Sequence, residues 1–250
     1  MNVRFWCEFP EKVNWKNFKK LVNFETEVYV TCKNREEFNF WKKKIKNKFI
    51  DVGAWPVLSK EEGYWFSGFL NKKSIDKLKE FNGLKIKIDI EPPFPGERKN
   101  PYLFVLKYFF INGENNNYLN DKINGLSKNS NIIVSGFPLP LFLRKKYGHF
   151  NYNTKKNYIA YTTFSKLLIF YYSCFIKKEL KKDKDLMIGL GCIGKGIFSN
   201  EPVYKSINEF KKDLEWVKKL CVKNISIFEV SGLMDRKDRE RWFKLIKDYV

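Results

Sequence analysis

Residues 84–93 read LKIKIDIEPP, a run in which every second residue is charged and the last two charges are carboxylates. Side chains of a strand alternate between faces, so Ile86, Ile88 and Ile90 share one face and Lys85, Lys87, Asp89 and Glu91 the other. In an antiparallel sheet the ionic face would look at water. In a closed parallel barrel one face meets the helices and the other points inward, and the run would end on a carboxylate at the C-terminal rim. The rest of the chain decides between the two.

Apolar periodicity predicts seven further strands, at 3–9, 26–32, 49–55, 131–137, 157–163, 186–192 and 224–230. Helical patterns lie between them, at 14–22, 35–47, 74–81, 101–111, 117–125, 139–147, 164–181, 206–220 and 236–249. Ser206 with Glu209 reads as a capping box, and Asp235 as the N-cap of the last helix. Eight strands alternating with helices in 250 residues predict an α/β protein, a single (β/α)8 TIM barrel over 1–250 with an Asn-rich insertion near 112–121. The rival open doubly wound sheet lacks a GxGxxG turn here.

Composition narrows the function classes. No apolar run approaches the roughly 18 residues of a membrane span, and LLIFYYSCFI at 167–176 comes nearest. The N-terminal MNVRFWCEFP does not resemble a signal peptide, so a cytoplasmic protein without a membrane partner is expected. Five scattered cysteines without a CxxC argue against a disulfide framework and a thiolate zinc site. The single histidine, His149, sits in the polar stretch KKYGHFNYN and reads as a solvated loop residue. The net charge of +20 raises a nucleic-acid partner, but only seven of the 48 basic residues are arginine and the lysines are dispersed over several helices.

The same parity places Arg4, Trp6 and Glu8 inward on strand 1, Tyr29 and Thr31 on strand 2, and Asp51 and Trp55 on strand 3. Ser135, Tyr161 and Glu229 follow on strands 5, 6 and 8. Glu8, Trp55, Glu91, Tyr161 and Glu229 come last in their strands, at the end where barrel enzymes keep their sites. Buried charges must pair, bind an ion or meet a ligand, so an interior network such as Arg4 with Glu8 or Lys87 with Asp89 is the structural alternative.

Two carboxylates two residues apart can divide labour, one donating a proton and the other stabilising positive charge. Here Lys87-Ile-Asp89-Ile-Glu91 resembles the DxDxE motif that ends the fourth strand of the family 18 glycoside hydrolases, chitinase-like (β/α)8 barrels, with Lys87 where the motif has its first Asp. The resemblance implies Glu91 as general acid and Asp89 as the residue that orients it and assists the acetamido group of the substrate. Tyr161 in IAYT stands where that family carries Met-x-Tyr-Asp on strand 6, with Thr162 in place of the Asp.

Two loops extend the candidate site. The third βα loop, 53–69, brings Trp55, Tyr64 and Trp65, aromatic faces that suit the C–H face of a sugar ring or cap the barrel core. The seventh, IGLGCIGKGIFSNEP at 188–202, is glycine-rich, carries Lys195, and could cradle a phosphate or form a tight turn. The resulting expectation is a hydrolase acting on a glycosidic or related polar substrate, with Glu91, Asp89 and Tyr161 catalytic and Glu8, Trp55, Tyr64, Trp65, Glu229 and Lys195 binding substrate. That chemistry needs no cofactor. One alternative is a phosphate- or metal-dependent barrel, with Glu8, Asp89, Glu91 and Glu229 as oxygen ligands of Mg²⁺ or Mn²⁺. The other is a basic RNA-associated barrel without catalysis. Nothing in the sequence indicates an oligomeric state.

Overall fold

The computed structural model describes residues 1–96, 107–198 and 200–250, and in it eight parallel strands close a barrel in the order β1-β2-β3-β4-β5-β6-β7-β8. The strands are β1 (Asn2–Cys7), β2 (Thr26–Cys32), β3 (Ile50–Pro56), β4 (Lys85–Asp89), β5 (Asn131–Gly136), β6 (Lys155–Ile159), β7 (Met187–Gly189) and β8 (Asn224–Phe228). Nine α-helices stand among the described residues: α1 (Trp15–Leu21), α2 (Arg35–Ile45), α3 (Lys72–Asp76), α4 (Asn116–Ser127), α5 (Leu141–Lys146), α6 (Ile169–Leu180), α7 (Ile207–Lys219), α8 (Val230–Asp235) and α9 (Arg239–Lys247). The chain is therefore a (β/α)8 barrel.

Strand β4 behaves as the alternation demands. Ile86, Ile88 and Ile90 are fully buried, and on the other face Lys87 is 2% and Asp89 3% exposed, so neither face looks at water. It pairs with β5 in a register that sets Ile88 beside Val134 and Asp89 beside Ser135.

Contact density divides the chain into two compact units, one of Met1–Thr31, Asn39–Gly53 and Lys156–Val250, the other of Cys32–Phe38 and Ala54–Lys155. The first is cored by Phe5, Phe18 and Phe243, whose rings lie 5.6 to 6.1 Å apart. The second buries Ile75, Leu78, Phe81, Leu119 and Ile123 behind its strands.

Several boundaries differ from the sequence reading. Strand 6 ends at Ile159, because beyond it Phe164 N–H bonds back to Tyr161 O and the Thr162 hydroxyl turns to Asp213 on α7. The stretch read as an Asn-rich insertion already enters α4 at Asn116, and the side chains of Asn115 and Asn116 tie it to the carbonyls of Leu70, Lys145 and Lys146. Asp235 closes α8, a helix the periodicity did not predict, and Asp238 stands at the N-cap of α9 instead. Ser206 Oγ accepts from Glu209 N–H at 3.4 Å, while the Glu209 carboxylate accepts from Lys205 N–H, one residue earlier than a capping box requires. Of the helix expected at 101–111, residues 101–106 lie outside the described residues, and Lys107–Phe109 form a 3-10 turn. Among the described residues no helix is long and apolar enough to cross a membrane.

Candidate functional site

The charged face of β4 forms a short buried stack. Lys87 Nζ lies 2.7 Å from Asp89 Oδ2 and 3.2 Å above the ring of Trp55 at the end of β3. The ammonium is thus held by a carboxylate and a π face together. Asp89 Oδ1 is buried and has no hydrogen-bond partner among the described residues. An acceptor in that state costs about 1–3 kcal/mol unless a donor reaches it.

Glu91 comes next on the same face, just past the end of β4. Backbone pairing continues to it: Phe66 N–H donates to Asp89 O at 3.1 Å, Glu91 N–H donates to Phe66 O at 3.1 Å, and Ile90 N–H donates to Ser135 O at 2.9 Å. The third loop therefore returns to the sheet as a one-residue bridge, and the Glu91 backbone sits in a strand-like setting. The loop's aromatics are buried: Tyr64 meets Trp65 edge-on at 5.4 Å, and both pack on Phe94 at 6.4 and 6.0 Å.

The structure corrects the reading of His149 as a solvated loop residue. It is buried, with Arg144 Nη1 3.2 Å from Nδ1 and the Tyr147 ring parallel to it at 6.5 Å. The fold-back after α5 explains this: Gly148 takes φ 95°, His149 N–H returns to Arg144 O, and the imidazole lies over Gly136, where an added Cβ would be 3.1 Å from Cε1. Gly148 before the histidine was the one sequence signal for the turn.

Glu8, Tyr161, Lys195 and Glu229 belong to the other compact unit. Glu229 is 0% exposed and its carboxylate is taken up by caps: Oε1 accepts from Glu8 N–H and Phe9 N–H, Oε2 from the N–H and hydroxyl of Ser231 at the start of α8. Burial raises its pKa. Tyr161 lies beyond β6, half-buried, with its ring parallel to those of Phe228 and Phe164 at 5.9 Å. Glu8 is buried, and its carbonyl accepts the Thr31 hydroxyl.

Glu201 was missed by parity because it stands in a loop. It is nearly buried, its Oε2 accepts from Gly196 N–H, and it faces Glu8: the two Oε2 atoms lie 2.9 and 2.4 Å from where a Cβ on Gly196 would be. Burial pushes its carboxyl up to about 7, against the pull of the Gly196 and Phe198 amides and with help from the Glu229 charge. The Gly196 amide thus serves an internal carboxylate, and Lys195 is exposed. Glycines of the seventh loop also serve close packing. A Cβ on Gly232 would lie 2.2 Å from Gly194 Cα, backbone against backbone. Gly232→Ala is expected to destabilise by about 1–3 kcal/mol or more, read as a lower urea midpoint.

Two loops of this unit meet on α7, where Asp213 Oδ2 accepts from the hydroxyls of Thr162 and Tyr204. Burial raises the thiol pKa of Cys192 and Cys7, which disfavours either as a nucleophile. Half of the ionic alternative is present: Lys87 pairs with Asp89, whereas Arg4 pairs with Glu27 on β2 at 2.5 Å rather than with Glu8. No group of three or more His, Cys, Asp or Glu among the described residues is arranged to hold a metal ion, and the four carboxylates of the Mg²⁺ alternative do not form one.

These features define a (β/α)8 barrel with a buried charged stack ending one strand. Over 98% of its length the chain is similar to the glycoside hydrolase domain of PgaB (BpsB) from Bordetella bronchiseptica, covering 98% of that chain with a TM-score of 0.62 and 10% identity. At that identity the likeness shows the fold. Phosphoribosyl anthranilate isomerase from Thermococcus kodakaraensis aligns over 99% of this chain and 97% of its own at 9% identity, with a TM-score of only 0.35. No family model and no curated protein sequence matches the chain.

Proposed function

We propose that the protein is a glycoside-hydrolase-like barrel that cleaves a glycosidic or related polar bond at the end of β4. The observation that carries this reading is Asp89, with Oδ2 fixed by Lys87 and Oδ1 buried without a donor among the described residues, one strand step before Glu91. The barrel it shares with the PgaB glycoside hydrolase domain supports the same reading. Glu91 gives its proton to the leaving-group oxygen as the glycosidic bond breaks and recovers one from the attacking water. Asp89 Oδ1 accepts a hydrogen bond from a substrate N–H or O–H, and its charge offsets the positive charge that develops on the sugar.

The test is turnover of neutral and N-acetylated oligosaccharides by the wild type and by Glu91→Gln, after a thermal-shift screen has found a stabilising sugar. Loss of the acid is expected to lower kcat by about 10²–10⁴-fold on natural leaving groups. The loss should be far smaller on 4-nitrophenyl glycosides, whose leaving group departs without protonation. Full turnover by Glu91→Gln on natural oligosaccharides would remove the proposal.

A further inference from the structure

The segment from Phe164 to Tyr171 leads into α6 and carries the largest run of exposed apolar side chains among the described residues. Leu167 is 91% and Phe170 79% exposed, and Phe164, Leu168 and Tyr171 are also exposed. Helix α6 has an ordinary inward face: Tyr172, Ile176 and Glu179 recur at helical spacing and are buried. Leu167 and Leu168 of the preceding 3-10 turn, Lys166–Leu168, and Phe170 in the first turn of α6 lie off that face and are exposed.

Charge distinguishes among occupants. Residues 164–184 hold six lysines against Glu179 and Asp183, and Glu179 is buried and paired with Lys182. Lys177, Lys178, Lys181 and Lys184 are exposed on the second half of α6 and just beyond it. Exposed Leu and Phe followed by lysines, on a chain of net charge +20, match a surface that is apolar below and anionic above. We propose that this patch docks on an anionic lipid bilayer, with Leu167 and Phe170 entering the acyl boundary and the lysines of α6 meeting the headgroup phosphates. The expectation of no membrane partner rested on the length of apolar runs, which tests for spans and not for helices that lie in the interface.

The experiment is co-sedimentation of the full chain with phosphatidylcholine vesicles, with and without phosphatidylglycerol, over a salt series. The wild type is expected to bind only the anionic vesicles, and Leu167→Ser/Phe170→Ser to lower the partition coefficient at least about tenfold. Replacing Lys177, Lys178 and Lys181 by Gln is expected to weaken binding and flatten its salt dependence. Exposed Cys174, labelled with an environment-sensitive dye in a Cys221→Ser background, should shift its emission to the blue with anionic vesicles. Because every substituted side chain is exposed, unchanged thermal midpoints will show that the variants fold. Indifference of the wild type to anionic vesicles overturns the proposal. So does equal binding by Leu167→Ser/Phe170→Ser, which would assign adsorption to the general charge. A wild-type dimer that the same substitutions make monomeric would also overturn it, giving the patch to a second copy.

Discussion

Lys87→Met is expected to lower stability by about 3–5 kcal/mol, read as a drop in the urea midpoint at unchanged slope. The substitution keeps most of the side-chain volume but leaves Asp89 as a buried carboxylate without its ammonium, and it removes the cation from the Trp55 face. The double variant Lys87→Met/Asp89→Leu should recover most of that loss, because a buried pair replaced by apolar groups is often neutral or stabilising. A large single effect with recovery in the double would mean that the pair is not kept for stability, which is the expectation for a carboxylate kept for chemistry. A single effect below about 1 kcal/mol would show that Asp89 is accommodated by something other than Lys87.

Glu201 should make the stability of the wild type fall as pH rises through neutrality. Its carboxyl has an ordinary value of 4.5 and is pushed up to about 7 by burial in the folded protein. Between those values the native state holds a proton that the unfolded chain releases, so the stabilisation is complete below 4.5 and lost as pH passes 7. The full change amounts to about 3 kcal/mol. Glu201→Gln retains an acceptor for the Gly196 amide and cannot ionise. It should therefore be the more stable protein at pH 8 and match the wild type at pH 4.5. Burial also raises Glu229 and Asp213, but both are present in the two proteins, so the difference reports chiefly on Glu201. Parallel pH profiles would show that Glu201 is solvated in the native state.

The barrel was legible because it is written in local alternation. Ile86, Ile88 and Ile90 against Lys87, Asp89 and Glu91 state the two faces of β4 without reference to any other residue, and the structure buries both. The ends of elements were less legible. β6 stops at Ile159 because Thr162 finds Asp213, some 51 positions away, and no window around Tyr161 contains that information. Helix α8 was hidden because Ile227, Phe228 and Val230 extend an apolar run, while the turn comes from Glu229 capping Ser231. His149 and Glu201 follow the same rule: each sits in a polar stretch of sequence and is buried by the way its loop folds back.

The pairing of Phe66 with Asp89 and Glu91 is made by main-chain groups alone. Every residue type except proline offers the same amide and carbonyl, so the bridge constrains the path of the third loop without dictating its letters. Descendants of this chain could exchange Phe66 for another apolar residue, and the exposed Lys60 and Glu61, and still carry the carboxylate of Glu91 at the same height on the sheet. Sequence drift at those positions should then run well ahead of drift in the geometry of the β4 terminus.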